Sequence, residues 1–139
     1  MLYRSIVVSF LVTVAMLLSA CGGGAQTKSA PAPSLPSDAQ KYANLKGDSV
    51  KGKDKFLGTC TACHGPDGKG LPGLGKDLTI SPFAKGLSDP ELILFITKGR
   101  PATDPANTTK VEMPPKGNNP ALSDQDLADI VAFIRTLEK

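Results

Sequence analysis

The chain has 139 residues, a formal net charge of +3, three cysteines, one histidine and no tryptophan. This length predicts a single domain with some additional sequence. The small net charge indicates little about partners. The sequence contains no phosphate-binding loop, nucleic-acid-binding motif or catalytic triad, so we expect neither nucleic acid nor a small-molecule substrate to bind, and we do not expect an enzyme.

The first 20 residues have the pattern of an export signal. Arg4 supplies a positive charge, and an almost wholly apolar run follows at residues 5–18. This run is shorter than the stretch of about 20 apolar residues that crosses a membrane, and it fits the apolar part of a secretory signal peptide. We therefore predict that residues 1–20 are a signal peptide. The residues at its end, described next, indicate that it is the signal peptide of a lipoprotein.

The sequence LSAC at residues 18–21 resembles the lipobox of bacterial lipoproteins. In that family the leader is cut just before the cysteine, whose thiol carries diacylglycerol. The alternatives are an ordinary signal peptide, with Cys21 as a stray residue, and an uncleaved signal anchor. We favour lipidation of Cys21 because it lies where the leader should end. We then expect an exported protein, anchored by this lipid to the outer face of the bacterial cell membrane.

Residues 21–46 are expected to be the lipidated cysteine followed by a flexible linker, because this stretch is rich in Gly, Pro, Ala and Ser. The remaining residues, 47–139, would form one small domain. Domains this short bury a small share of their surface, and they often add a disulfide, a metal or a cofactor to their core.

The first predicted helix, residues 48–59, leads into the sequence CTACH. Structural zinc needs four ligands, whereas this domain offers Cys60, Cys63 and His64. A redox dithiol follows a strand in thioredoxin-like proteins, but the residues before Cys60 have helical spacing. A plain disulfide would leave the adjacent histidine without a role.

Covalent attachment of haem accounts for all three side chains. C-x-x-C-H is the attachment pattern of c-type cytochromes, in which two thiols add to the haem vinyl groups. We therefore predict one haem c, bound through thioether bonds to Cys60 and Cys63, with His64 as an axial ligand of the iron. Haem of this type is attached outside the cytoplasm in bacteria, which agrees with the predicted export.

The second predicted helix begins with a capping box formed by Ser88 and Glu91 and ends at Gly99. Its apolar residues follow helical spacing, at Leu92, Phe95 and Ile96. The residues after it, 101–112, have no regular pattern; they could shape a docking surface, or they could be passive.

Met113 is the predicted second axial ligand of the iron. The argument is elimination, because the predicted domain has one histidine and one methionine. Two prolines follow Met113 and would hold the thioether in a fixed place. Lys110 and Lys116 are alternative ligands, but each amine would first have to lose a proton.

The last predicted helix begins at Ser123, with an acidic residue three positions later at Asp126. Its apolar residues recur at helical spacing, so one face of this helix is expected to be buried. That face consists of Leu127, Ile130, Val131, Ile134 and Leu137.

Three stretches, CTACHGPDGKG, LPGLG and VEMPPKGNNPALSDQDLADIVAFIRTL, resemble class I c-type cytochromes over about residues 47–139. The resemblance implies an all-α fold, the small cytochrome c fold, with helices wrapped around one covalently bound haem. It also implies that the Pro72 carbonyl accepts a hydrogen bond from His64 Nδ1. Gly52 and Phe56 match the positions where the first helix crosses the last one in this family.

The resemblance further implies one-electron transfer between Fe(III) and Fe(II), with proteins of a membrane electron-transport chain as redox partners. Residues 99–137 also resemble the monohaem lipoprotein subunit of alternative complex III and the cytochrome domains of terminal oxidases. We therefore expect a subunit of a quinol-oxidising membrane complex, respiratory or photosynthetic. The alternatives are a free shuttle on a lipid tether, and a haem enzyme or gas sensor with Met113 off the iron.

Overall fold

The computed structural model describes residues 34–139. The predicted signal peptide, the lipidation site at Cys21 and the first part of the predicted linker lie outside the described residues. Within them, five α-helices follow in chain order: α1 (Ser49–Thr59), α2 (Thr61–His64), α3 (Pro82–Gly86), α4 (Asp89–Lys98) and α5 (Asp124–Leu137). Two 3₁₀ helices are added to these, Ser37–Tyr42 before α1 and Pro115–Asn118 before α5.

The predicted all-α fold is confirmed. Residues 34–139 contain no β-strand, and Arg100 and Met113 form an isolated antiparallel bridge. None of the helices in this part of the chain has the length and the apolar character that crossing a membrane requires.

The folded unit begins before residue 47, the predicted start of the domain. The 3₁₀ helix Ser37–Tyr42 packs the Tyr42 side chain into the core, where it is 1% exposed, and the Tyr42 hydroxyl lies 3.1 Å from Thr97 Oγ1 in α4. Burial of one aromatic ring removes enough apolar surface from water to hold a short segment against the domain. The helix Ser37–Tyr42, which falls within the range predicted as linker, is therefore packed against the domain in this structure.

Helices α1 and α5 cross tightly at the centre of the core. Gly52 lies so close to α5 that a Cβ atom at this position would overlap the carbonyl oxygen of Asp129. One turn later, the fully buried Phe56 ring meets the Phe133 ring in a tilted arrangement, with centroids 5.3 Å apart. The glycine permits the close approach and the aromatic pair fills the adjacent space, as the family resemblance implied.

The predicted apolar face of α5 forms most of its side of this core. Four of its five residues are no more than 4% exposed, namely Leu127, Ile130, Val131 and Ile134. Leu137, at the end of the helix, is partly buried against the same cluster. Residues of α4 complete the cluster from the other side, so the period of the apolar residues correctly predicted which face is buried.

Both predicted capping boxes are present. At the start of α4, the Ser88 N–H donates to the Glu91 carboxylate at 2.8 Å. At the start of α5, the Ser123 N–H donates to the Asp126 carboxylate at 2.9 Å, and the Ser123 hydroxyl accepts from the Asp126 N–H at 3.1 Å. These bonds satisfy backbone groups that the first turn of a helix leaves unpaired.

The Asp126 carboxylate makes the stability of the fold depend on pH. Hydrogen bonds from the Ser123 hydroxyl, from Lys55 and from the Ser123 backbone lower the pKa of Asp126 from 3.8 to about 2. A lowered pKa stabilises the fold above the unfolded value, and this contribution is lost as pH falls through about 2. We therefore expect Asp126→Asn to lower the melting temperature near neutral pH and to have a shrinking effect below pH 4, roughly the unfolded pKa of an Asp side chain. Thermal unfolding followed by circular dichroism measures this, with the exposed Asp54→Asn as control; an effect independent of pH would contradict it.

Candidate cofactor site

The CTACH sequence forms one helical turn directly after α1. Cys60 ends α1 and begins α2, and its N–H donates to the Phe56 carbonyl at 2.8 Å. The Cys60 carbonyl accepts from the N–H groups of Cys63 and His64, at 3.3 and 3.0 Å. Residues three apart in a helical turn share a face, so this turn presents both thiols in the same direction.

Both cysteines carry free thiols, so the disulfide considered from the sequence is not formed between them. Burial raises the pKa of the Cys60 thiol to about 11, and the neighbouring Cys63 makes a smaller contribution in the same direction. At neutral pH the Cys60 side chain is therefore an uncharged group, in surroundings that suit an apolar ligand.

The His64 ring is oriented by a backbone carbonyl. Its Nδ1 lies 2.9 Å from the Lys76 carbonyl oxygen, which leaves Nε2 as the ring nitrogen available to bind a metal. The resemblance implied Pro72 as the acceptor, whereas the acceptor in this structure is Lys76. The chain turns back against the CTACH turn at Gly75, which comes so close to the Cys63 carbonyl that a Cβ atom would overlap it. The carbonyl of the next residue, Lys76, therefore lies beside the His64 ring.

Met113 is held in place through its backbone. Its N–H and carbonyl pair with those of Arg100 at N···O distances of 2.9 and 2.7 Å. Gly99, with φ +69°, lies so close that a Cβ atom would overlap the Met113 carbonyl, so this position requires glycine. Pro114 follows in an extended conformation. The C-terminal end of α4 therefore fixes where the Met113 backbone lies.

All five α-helices contribute residues to a cavity of about 530 Å³. Cys60, Cys63 and Met113 line it together, whereas His64 and Pro72 are not among its lining residues. His64 nevertheless adjoins the wall, because it follows Cys63 in the chain and bonds to Lys76, which also lines the cavity. The remaining wall is mostly apolar: Leu74, Leu78, Ile80, Phe83, Leu92, Phe95, Ile96, Val111, Ile130 and Ile134.

The residues of this cavity fit a haem. Its volume lies in the range of about 300 to 1,000 Å³ that is usual for small-molecule and cofactor sites, and its apolar walls suit a porphyrin ring. Three lining residues, Leu74, Ile80 and Phe83, are at least 43% exposed. A large apolar ligand in the cavity would bury the exposed surface of these three side chains. A domain with so small a core needs this additional burial to be stable.

Arg100 is a residue of the cavity wall that sequence analysis missed. Its guanidinium lies over the rings of Phe83 and Phe95, 4.3 and 4.8 Å from their centroids. Its buried Nε is 3.4 Å from the Asp104 carboxylate, but the geometry is too poor for a hydrogen bond. The Arg100 guanidinium can therefore still donate a hydrogen bond to a carboxylate group of a ligand. No local motif indicates it, because its surroundings come from three separate segments.

The two alternative ligands considered from the sequence, Lys110 and Lys116, are not among the residues that line the cavity, although chain neighbours of both are. Lys116 donates through Nζ to the Leu122 carbonyl at 2.6 Å. Lys110 is exposed, and neither lysine is among the residues that line the cavity. Of these three candidate donors, Met113 alone is among the residues that line the cavity.

The cytochrome c family model matches residues 49–138, a range that includes Cys60, Cys63, His64 and Met113. The chain therefore belongs to the cytochrome c family. It is a class I c-type cytochrome, an electron-transfer protein with covalently bound haem c, and these predictions are confirmed by the family membership.

Curated relatives differ widely in length. Cytochrome c-554(548) of Halomonas halodenitrificans is 34% identical over 102 residues, covering 66% of this chain and 99% of the relative. The cytochrome c subunit of the quinone alcohol dehydrogenase of Gluconacetobacter polyoxogenes is 32% identical over 101 residues, covering 73% of this chain. The gluconate 2-dehydrogenase cytochrome c subunit of Pantoea cypripedii is 35% identical over 101 residues, covering 70% of this chain. The chain spans 21% and 22% of the length of these two subunits. No solved structure matches the chain significantly.

Proposed function

We propose that this chain is a monohaem electron carrier in which Cys60 and Cys63 form the thioether bonds and His64 and Met113 bind the iron. The observation that carries the proposal is that Met113 and both thiols line one cavity, while His64 adjoins it with Nδ1 bonded to Lys76. The haem supplies one-electron exchange between Fe(III) and Fe(II).

The residues of the chain hold this group and tune it. The Lys76 carbonyl accepts a hydrogen bond from His64 Nδ1–H, which leaves Nε2 for the metal and would make the imidazole a better donor. The Met113 thioether would be a neutral, soft donor that favours Fe(II), and with His64 it would leave no position open for a substrate. Arg100 would bind a haem carboxylate, and the apolar walls would cover the faces of the bound group.

An optical spectrum of the purified holoprotein, oxidised and reduced, with and without carbon monoxide, tests this ligation. We expect a low-spin c-type spectrum, a far-red band of the ferric form that reports the methionine–iron bond, and no response to carbon monoxide, because both axial positions are filled. A high-spin spectrum, or rapid carbon monoxide binding to the reduced protein, would remove Met113 from the iron and favour the gas-sensor hypothesis.

We also propose that the protein is exported and anchored to the outer face of the cell membrane by lipid on Cys21. The support is the sequence alone: an apolar leader followed by LSAC. About 15 residues of the sequence separate Cys21 from the helix Ser37–Tyr42. The intact mass of protein extracted from membranes checks this proposal, since an unmodified Cys21 would contradict it.

The partners proposed are redox proteins of a membrane electron-transport chain, with this chain as a subunit of a quinol-oxidising complex. In support of a subunit role, two relatives are named as cytochrome c subunits of dehydrogenases, and quinol oxidation is proposed from the sequence resemblance alone. A free shuttle is the second candidate, because cytochrome c-554(548) is aligned over nearly its whole length. Mild detergent extraction followed by sizing separates them: a large assembly supports the subunit, and a small free cytochrome supports the shuttle.

A further inference from the structure

One buried amide joins the two ends of the segment between Arg100 and Met113, residues 101–112, which we name the cavity loop. Asn107 is 5% exposed, although its neighbours on both sides are exposed. Its Nδ2 donates to the Pro101 carbonyl at 3.1 Å and to the Val111 carbonyl at 2.7 Å. A single side chain therefore connects the first residue of the cavity loop to its next-to-last residue.

The oxygen of the same amide organises the second half of the cavity loop. Asn107 Oδ1 accepts from the Lys110 N–H at 3.1 Å and from the Thr109 hydroxyl at 3.0 Å. The bond to Lys110 holds a residue with φ +57°, a backbone conformation uncommon outside glycine. Both donors and the acceptor of Asn107 are thus satisfied, and a buried group of this kind is costly to remove because its partners lose their bonds as well.

The bonds of Asn107 lie close in the chain to the backbone bridge between Arg100 and Met113. Pro101 directly follows Arg100, which forms the backbone bridge with Met113, and Val111 is two residues before Met113. Asn107 and Val111 also line the cavity. The bridge closes the cavity loop at its base, and the amide closes it from inside, so two restraints act on the segment that precedes Met113.

We propose that Asn107 is a positioning residue that keeps the Met113 thioether on the haem iron by holding the cavity loop closed, an inference that rests on Met113 being an axial ligand. The cavity loop has 12 residues and no helix or strand of its own. Without the Asn107 amide, the cavity loop can adopt more conformations. In some of them Met113 lies away from the iron, and these compete with the bound conformation, which is held by one bond from a neutral thioether. Asn107 reduces that competition before the iron–sulfur bond forms.

The test uses the holoprotein and three variants. Asn107→Ala removes all four bonds. Thr109→Ala removes one of them, together with the bond that the Val111 N–H donates to the Thr109 hydroxyl, and it leaves the Asn107 bonds to Pro101, Val111 and Lys110 in place, which gives a milder change should the first variant fold poorly. Thr103→Ala is the matched control, an exposed residue of the same loop. The measurements are the ferric far-red band and the rate of carbon monoxide binding to the reduced protein, with circular dichroism to establish that each variant is folded.

We expect Asn107→Ala to weaken the far-red band and to raise the carbon monoxide binding rate about tenfold, which corresponds to about 1.4 kcal/mol. Thr109→Ala should shift both signals in the same direction by less, and Thr103→Ala should shift neither. Folded variants that lose stability but keep the wild-type band and rate would overturn the positioning role and leave Met113 ligation standing. A wild-type protein without the band would overturn both proposals.

Discussion

Replacing Met113 with leucine is expected to remove the far-red band of the ferric protein and to allow rapid carbon monoxide binding to the reduced form. Leucine fills a similar volume without a donor atom, so the cavity wall stays apolar while the sixth position of the iron opens. The reduction potential should fall, because the thioether favours Fe(II). A loss of about 100-fold in that preference corresponds to about 120 mV for one electron. Spectra and a potentiometric titration measure these changes.

A second cavity residue provides the control for this experiment. Val111→Ala enlarges the cavity close to Met113 but leaves the thioether in place. We expect this variant to keep the far-red band and to exclude carbon monoxide. If Met113→Leu behaves like Val111→Ala, another side chain binds the iron, and the proposed ligation by Met113 is wrong. Lys110 and Lys116 would then be the residues to replace, because the sequence offers them as alternative donors.

Replacing Gly52 with alanine is expected to destabilise the protein strongly. The added Cβ would overlap the Asp129 carbonyl and crowd the Ile130 backbone, and backbone atoms cannot rotate away as a side-chain tip can. Helices α1 and α5 would have to separate, which costs about 1 to 3 kcal/mol for overpacking of this kind. Urea unfolding of the holoprotein measures the change in the free energy of unfolding.

Gly58 is the matched control, because it lies in the same helix and a Cβ atom there would have no neighbour within 4 Å. Gly58→Ala should stabilise the protein by about 0.5 to 1 kcal/mol, since alanine has the higher helix propensity. Equal effects of the two substitutions would show that helix propensity, and not the crossing of α1 with α5, decides the result at Gly52.

The Gly52 result also bears on the cofactor site. The turn that carries Cys60, Cys63 and His64 directly follows α1. A shift of α1 relative to α5 therefore moves the thiols relative to cavity residues of α5 such as Ile130. We expect the spectrum of Gly52→Ala holoprotein to differ from wild type more than that of Gly58→Ala.

The sequence by itself determined the features that depend on residues close together in the chain. The spacing in CTACH indicates haem attachment because two thiols and an imidazole within one helical turn can reach the same group. The capping boxes at Ser88 and Ser123 were predictable because each is formed by residues three positions apart. The buried face of α5 follows from a period of apolar residues, which is also a local property.

Only the tertiary structure decided the features that depend on how distant segments meet. The acceptor for His64 in this structure is Lys76, where the resemblance implied Pro72, and it lies there because Gly75 brings the chain back against Cys63. Tyr42 belongs to the core because α4 offers a partner for it, although its neighbours in sequence have the composition of a linker.

The same reason explains why Arg100 and Asn107 could not be identified from the sequence. The aromatic rings around Arg100 come from α3 and α4, and the carbonyls around Asn107 come from the two ends of a loop. Residue types specify which bonds a side chain can make, and local spacing specifies bonds within a turn of helix. Which partners meet across a loop or between helices is decided by chain closure and by packing of the core, and these exist only in the folded protein.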